Sequence, residues 1–161
     1  MTNDLRNNPD KWIRKGFGDM IVNNNISTVW DMNVTGGIYP KEYVLMSTQT
    51  KRGVQISKCG SQWDCTILID IVTRYVGSGN TGSRNRINDI ENLILYHAGS
   101  INFEGGFTIF DMEMENSTSM DSSDKTEQIF RQLMRFRIKL DELYDYPSNM
   151  GFPYALDFAL A

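Results

Sequence analysis

Residues 63–95 constrain the fold most, because they read in order as a long alternating strand, a glycine-rich turn and an amphipathic helix. Trp63, Cys65, Ile67, Ile69, Ile71 and Tyr75 fall on one face at period two. Asp64, Thr66, Asp70 and Arg74 fall on the other, with Leu68 and Val72 breaking the pattern. The β-branched and aromatic residues agree with that period. Gly77, Gly79 and Gly82, spaced by small polar residues, then end the strand. Ser83 can accept a bond from a free amide at a helix start, and Ile87, Ile90 and Ile94 recur at helical spacing with Leu93 widening the stripe.

The flanking sequence supplies further elements. Asn8, Pro9 and Asp10 form a helix start, with a cap, a proline in the first turn and an acid at the positive end of the dipole. Trp12, Ile13, Phe17, Met20 and Ile21 continue it as an apolar stripe, which Gly16 and Gly18 weaken by about 1 kcal/mol each relative to alanine. Residues 26–34 favour a strand. A second strand is expected over 43–50 after Tyr39-Pro40, and residues 49–62 read as a loop or an irregular hairpin. Residues 107–115 alternate again, with Phe110, Met112 and Met114 opposed to Asp111, Glu113 and Glu115. Residues 116–126 carry no apolar period and read as a polar loop, mobile at its tip. A last strand over 129–140 sets Phe130, Met134, Phe136, Ile138 and Leu140 against Arg131, Arg135, Arg137 and Lys139.

The resulting fold class is α+β: a mostly antiparallel sheet packed against two helices, with a long polar hairpin loop and an extended C-terminal tail. A domain over 1–143 and an aromatic, proline-containing extension over 144–161 are expected. A chain of 161 residues, 40% hydrophobic and 22% charged, is long enough to bury one core. The net charge of -4 argues against a dedicated nucleic-acid binder, which needs clustered cations to displace counterions, but not against a wall that DNA passes. No apolar run follows a basic start, and no stretch is long enough to span a bilayer, so a reducing cytoplasm is the expected place of synthesis.

No catalytic constellation emerges. His97 is the sole histidine and reads as a cap at the end of the central helix, which leaves too few ligands for an imidazole-rich metal site. Cys65 reads as a small buried apolar residue and Cys59 as a free thiol near a turn. The glycine-rich turn lacks the Gly-Lys-Ser/Thr ending of a phosphate loop and the full dinucleotide fingerprint. Asp64, Asp70, Asp111 and Glu113 read as solvent-facing sheet residues, not paired catalytic acids. No cofactor or metal is expected. If the last two strands form a hairpin, Asp111, Glu113 and Glu115 lie beside the basic row. That leaves two readings of Arg131, Arg135 and Arg137: a mutually paired sheet face, or a strip that meets a partner.

The order of these elements resembles the tail-completion and tail-terminator proteins of tailed bacteriophages, small neck proteins that form a ring between head and tail. The resemblance spans about residues 9–140. It rests on the N-terminal helix, the segment Tyr39-Pro40-Lys41-Glu42-Tyr43-Val44-Leu45, and the long strand ending in Thr73-Arg74-Tyr75. The Gly/Ser turn, the helix around Ile87 to Ile94 and the strand from Phe130 to Ile138 complete it. It implies a virion protein that self-associates into a closed heterologous ring of about six or twelve copies. Neck, portal-side or tail proteins would be its neighbours, DNA would only pass through, and no membrane is involved. Contacts are expected from Arg131, Arg135, Arg137, Asp111 and Glu113, and from Phe152, Tyr154 and Phe158 in a tail that clamps a neighbour or packs on its own domain. The alternative is a small ligand- or nucleotide-binding domain using helix-start amides near Ser83 and Arg84.

Overall fold

The computed structural model describes residues 8–31, 40–56, 60–77, 82–123 and 126–143. Helix α1 (Pro9–Asn23) is followed by strands β1 (Val29–Asp31), β2 (Glu42–Ile56) and β3 (Gly60–Val76), helix α2 (Asn85–Ala98), and strands β4 (Phe107–Ser123) and β5 (Glu127–Leu143). They form one sheet in the order β1-β2-β3-β5-β4. Strand β1 lies parallel to β2 over three residues, while the pairs β2/β3, β3/β5 and β5/β4 are antiparallel. This is the expected α+β architecture.

Helix α1 starts as its sequence dictates: the Asn8 side chain accepts from the Asp10 amide at 3.2 Å, with Pro9 in the first turn. Lys51 reaches both Asn8 (2.9 Å) and Asp10 (3.1 Å), tying this helix end to β2. Ile13, Phe17, Met20 and Ile21 are buried and join Ile87, Ile90, Ile94 and Ala98 of α2 in one cluster. Both helices cover the sheet face formed by Cys65, Ile67, Ile69 and Ile71 of β3 and Phe130, Met134, Phe136, Ile138 and Leu140 of β5. Gly16 is needed for this packing, since a Cβ there would sit 2.5 Å from the Phe103 ring.

Several expectations are corrected. Residues 116–123 are not a polar loop but the second half of β4, which runs to Ser123, and β5 begins at Glu127. Strand β2 does not stop at residue 50; of the two readings of 49–62 the irregular hairpin holds, since β2 continues to Ile56 paired with β3, with register shifts between Thr48 and Thr50 and between Gly53 and Gln55. Phe110 does not share the face of Met112 and Met114. It is skipped in the β4/β5 pairing between Ile109 and Asp111 and is 70% exposed. The bulge resets the parity of the strand, so Phe107 and Ile109 before it and Met112 after it all meet the core. Leu93 is exposed, and Ala98 takes the last place in the buried stripe of α2. As expected, the Ser83 hydroxyl accepts from a helix-start amide, that of Asn85 at 3.1 Å, although Arg84 holds the N-cap position of α2. Asp70 does not face solvent; it is buried at 5% exposure. Phe152, Tyr154, Phe158, Cys59 and the whole 144–161 extension lie outside the described residues.

Candidate partner interface

Strand β5 alternates strictly, so Phe130, Met134, Phe136, Ile138 and Leu140 are buried while Arg131, Arg135, Arg137 and Lys139 stand on the opposite face. Two neighbours neutralise that row. From β3, Asp70 accepts two bonds from Arg131, one of them from Nε at 3.2 Å, and Asp64 accepts from Arg137 Nε at 2.9 Å and Nη2 at 2.6 Å. From β4, Asp111 accepts from Lys139 at 2.8 Å, and Glu113 stands 4.0 Å from Arg137. The expected placing of the β4 acids beside the basic row holds, and the β3 acids add to it. The β3/β5 register places Thr66 opposite Arg137 and Val72 opposite Arg131, so each arginine reaches diagonally to a β3 carboxylate. Arg135 lies opposite Leu68 and Asn116, and its Nε has no hydrogen-bond partner among the described residues.

Hydrogen bonds from Arg137 hold the Asp64 carboxyl below its ordinary range, and those from Arg86 (both 2.7 Å) do the same for Glu42. A depressed carboxylate stabilises the fold fully above its unfolded pKa, near 4. That contribution is lost as pH falls through the lower, folded value. Thermal melts should therefore show Asp64→Asn below the parent protein at pH 7, with the gap closing in acid. A gap that stays constant down to pH 2 would remove this pair from the acid response.

The lateral edges of the sheet are the other distinctive feature. Strand β4 forms one edge along its whole length. At the other, β1 covers only Val44, Leu45 and Met46 of β2, so among the described residues, 47–56 form an edge too. Beside β4, an open groove of about 670 Å³ is lined in part by Ile101, Phe103, Phe107, Ile109 and Phe110.

The glycine-rich turn offers less. Gly77 has φ +132°, and Gly82 lies so close to Tyr75, Gln128 and Phe130 that a Cβ would come within 2.7–2.9 Å of each. The rest of the turn, 78–81, lies outside the described residues. A cavity of about 280 Å³ at this end is lined by Lys41, Glu42, Thr73, Arg74, Tyr75, Val76 and Arg86. Its guanidinium groups are committed to carboxylates, Arg86 to Glu42 and Arg74 to Glu127 at 2.5 Å. Arg84 turns instead to Asp121, to Ser119 at 2.7 Å and to Gln132 at 2.9 Å. Burial pushes the Cys65 thiol up to about 12, so it is inert at neutral pH. His97 occupies the last turn of α2, edge-on to Tyr96. Among the described residues, no group of three His, Cys, Asp or Glu side chains could hold a metal ion, and no helix is long and apolar enough to cross a membrane.

The sequence matches no protein-family model and no curated protein. Among solved structures, the chain is similar to one from "Virion of native gene transfer agent (GTA) particle", at 10% identity and a TM-score of 0.48. The alignment covers 74% of this chain and 84% of that one.

Sequence reasoning missed Asp64 and Asp70 as the partners of the arginine row; it named Arg84 only beside the helix-start amides and did not single out Gln132. The signal for the first was present in the alternation of β3, which puts both acids on the face opposite the core. What was lacking was the adjacency of β3 and β5, a long-range fact that no local pattern carries.

Proposed function

We propose that this chain is a structural virion protein of a tailed phage. In this reading it forms a ring in the neck or tail that completes or joins the tail and leaves a channel for DNA. The supporting observation is the sheet itself: among the described residues, two long edges lie unpaired on opposite sides of one layer. Open edge strands invite further strands, and a protein carrying two of them is suited to joining copies side by side. Charge is compatible with this task, because the cations Arg131, Arg137 and Lys139 are held by acids of their own sheet and offer little for DNA phosphates to grip. Assembly would take place in the host cytoplasm, with neck, portal-side or tail proteins above and below and the 144–161 extension reaching a neighbour.

Native mass measurement and electron microscopy of the purified protein test this reading. The expected result is a closed particle of about six or twelve copies with a central opening. A strict monomer at every concentration, absent from purified particles, would overturn it.

A further inference from the structure

We infer that the ring closes through one specific contact, in which residues 111–113 of β4 pair antiparallel with residues 50–52 of β2 in the next copy, Asp111 opposite Arg52. This rests on the ring reading above and names the surfaces that would carry it. Three independent features of the sheet converge on these two segments.

Direction comes first. Because β2/β3, β3/β5 and β5/β4 are all antiparallel, β2 and β4 run in opposite senses. A second copy placed beside the first in the same orientation therefore brings β2 against β4 antiparallel, and the alternation continues without a break.

Level comes second. Register shifts on β2 lie between Thr48 and Thr50 and between Gly53 and Gln55, leaving 50–53 as a regular window. Those on β4 lie between Ile109 and Asp111 and between Met114 and Asn116, leaving 111–114. The two windows stand at the same height: Arg52 pairs with Asp64, Asp64 with Lys139 and Lys139 with Asp111. Bulges that bracket both windows confine strand addition to a short segment and oppose indefinite edge-to-edge growth.

Charge comes third. Across the sheet, that row is Arg52, Asp64, Lys139, Asp111, alternating in sign and ending negative. The next copy begins it again with Arg52, which is exposed and has no ion-pair partner among the described residues. Glu113, one row on, would face Thr50. At one end of each window the skipped residue is apolar and exposed, Val54 at 60% and Phe110 at 70%, so the same contact brings them together.

The test uses two charge-reversed full-length chains, R52E and D111K/E113K, each checked for folding by circular dichroism. Alone, each places like charges at every junction and should lose the ring seen for the parent protein. Mixed in equal amounts they should recover it. In an even-numbered ring of alternating chains, the reversed β2 edge of one meets the reversed β4 edge of the other, and the two unaltered edges meet at the next junction, so every junction again joins opposite charges. Should either reversal fail to fold, Arg52→Cys with Asp111→Cys in one chain serves instead. These positions are separated by three strand spacings, about 14 Å, too far for an internal disulfide. Mild oxidation should give a ladder of covalent multimers ending at the ring. Rings formed by either reversed chain alone, a mixture that stays dissociated, or parent-size rings without a ladder would overturn this contact and leave the ring reading standing. A monomeric parent protein would overturn both.

Discussion

Phe17→Ala should cost about 3–5 kcal/mol, enough to remove a large part of the stability of a domain whose total is about 5–15 kcal/mol. Phe17 is fully buried and touches two different parts of the chain. Its ring centroid lies 5.3 Å from Phe136 on β5 and 6.5 Å from Phe103 in the segment after α2. Truncation thus opens a cavity where α1, the sheet and that segment meet, and the rigid strands beneath cannot collapse to fill it. Denaturant titration measures the loss directly, and a fall in melting temperature of about 6–20 °C should accompany it. Leu93→Ala, on the exposed side of α2, should change stability by less than about 0.5 kcal/mol. A loss below about 1 kcal/mol for Phe17→Ala would mean that α1 is not packed on the sheet in solution.

Much of this architecture is legible in the residues. The stripes Ile13, Phe17, Met20, Ile21 and Ile87, Ile90, Ile94 mark both helices, and the alternations in β3 and β5 mark the two central strands, because burial on one face imposes a period that sequence records. The errors fall where the period is interrupted or where no core lies beneath. In β4 the apolar residues shift from Phe107 and Ile109 to Met112 and Met114, and that parity change is the trace of a bulge at Phe110. Reading the alternation from Phe110 alone conceals it. The candidate contacts divide in the same way: the basic row of β5 follows from its own alternation, whereas its partners Asp64 and Asp70 follow from strand order. The open edges, and the match of Arg52 to Asp111, are properties of the assembled sheet and belong to no single segment.

Residues 116–123 are the sharpest case, and Gln132→Ala tests why they form a strand. Ser117, Ser119 and Asp121 pair with Met134, Gln132 and Phe130 of β5, so they stand on the helix side of the sheet where β3 and β5 carry apolar residues. They meet a polar seam instead. Gln132, buried at 6% exposure, accepts from Ser119 at 2.7 Å and from Arg84 at 2.9 Å, and it donates to Ser117 at 2.5 Å. Ser117 in turn donates to Glu91 of α2 at 2.5 Å, and Arg84 also binds Asp121. The strand is therefore held by hydrogen bonds between α2 and β5 that leave no hydrophobic signature. Removing the Gln132 side chain cuts three of these part-buried bonds, for an expected loss of about 2–3 kcal/mol. Amide hydrogen exchange gives the more telling readout: protection should fall most across 117–123 and the first turn of α2, while 107–114, paired to β5 over the core, stays protected. Uniform loss along β4 would show that the seam does not hold this half of the strand on its own.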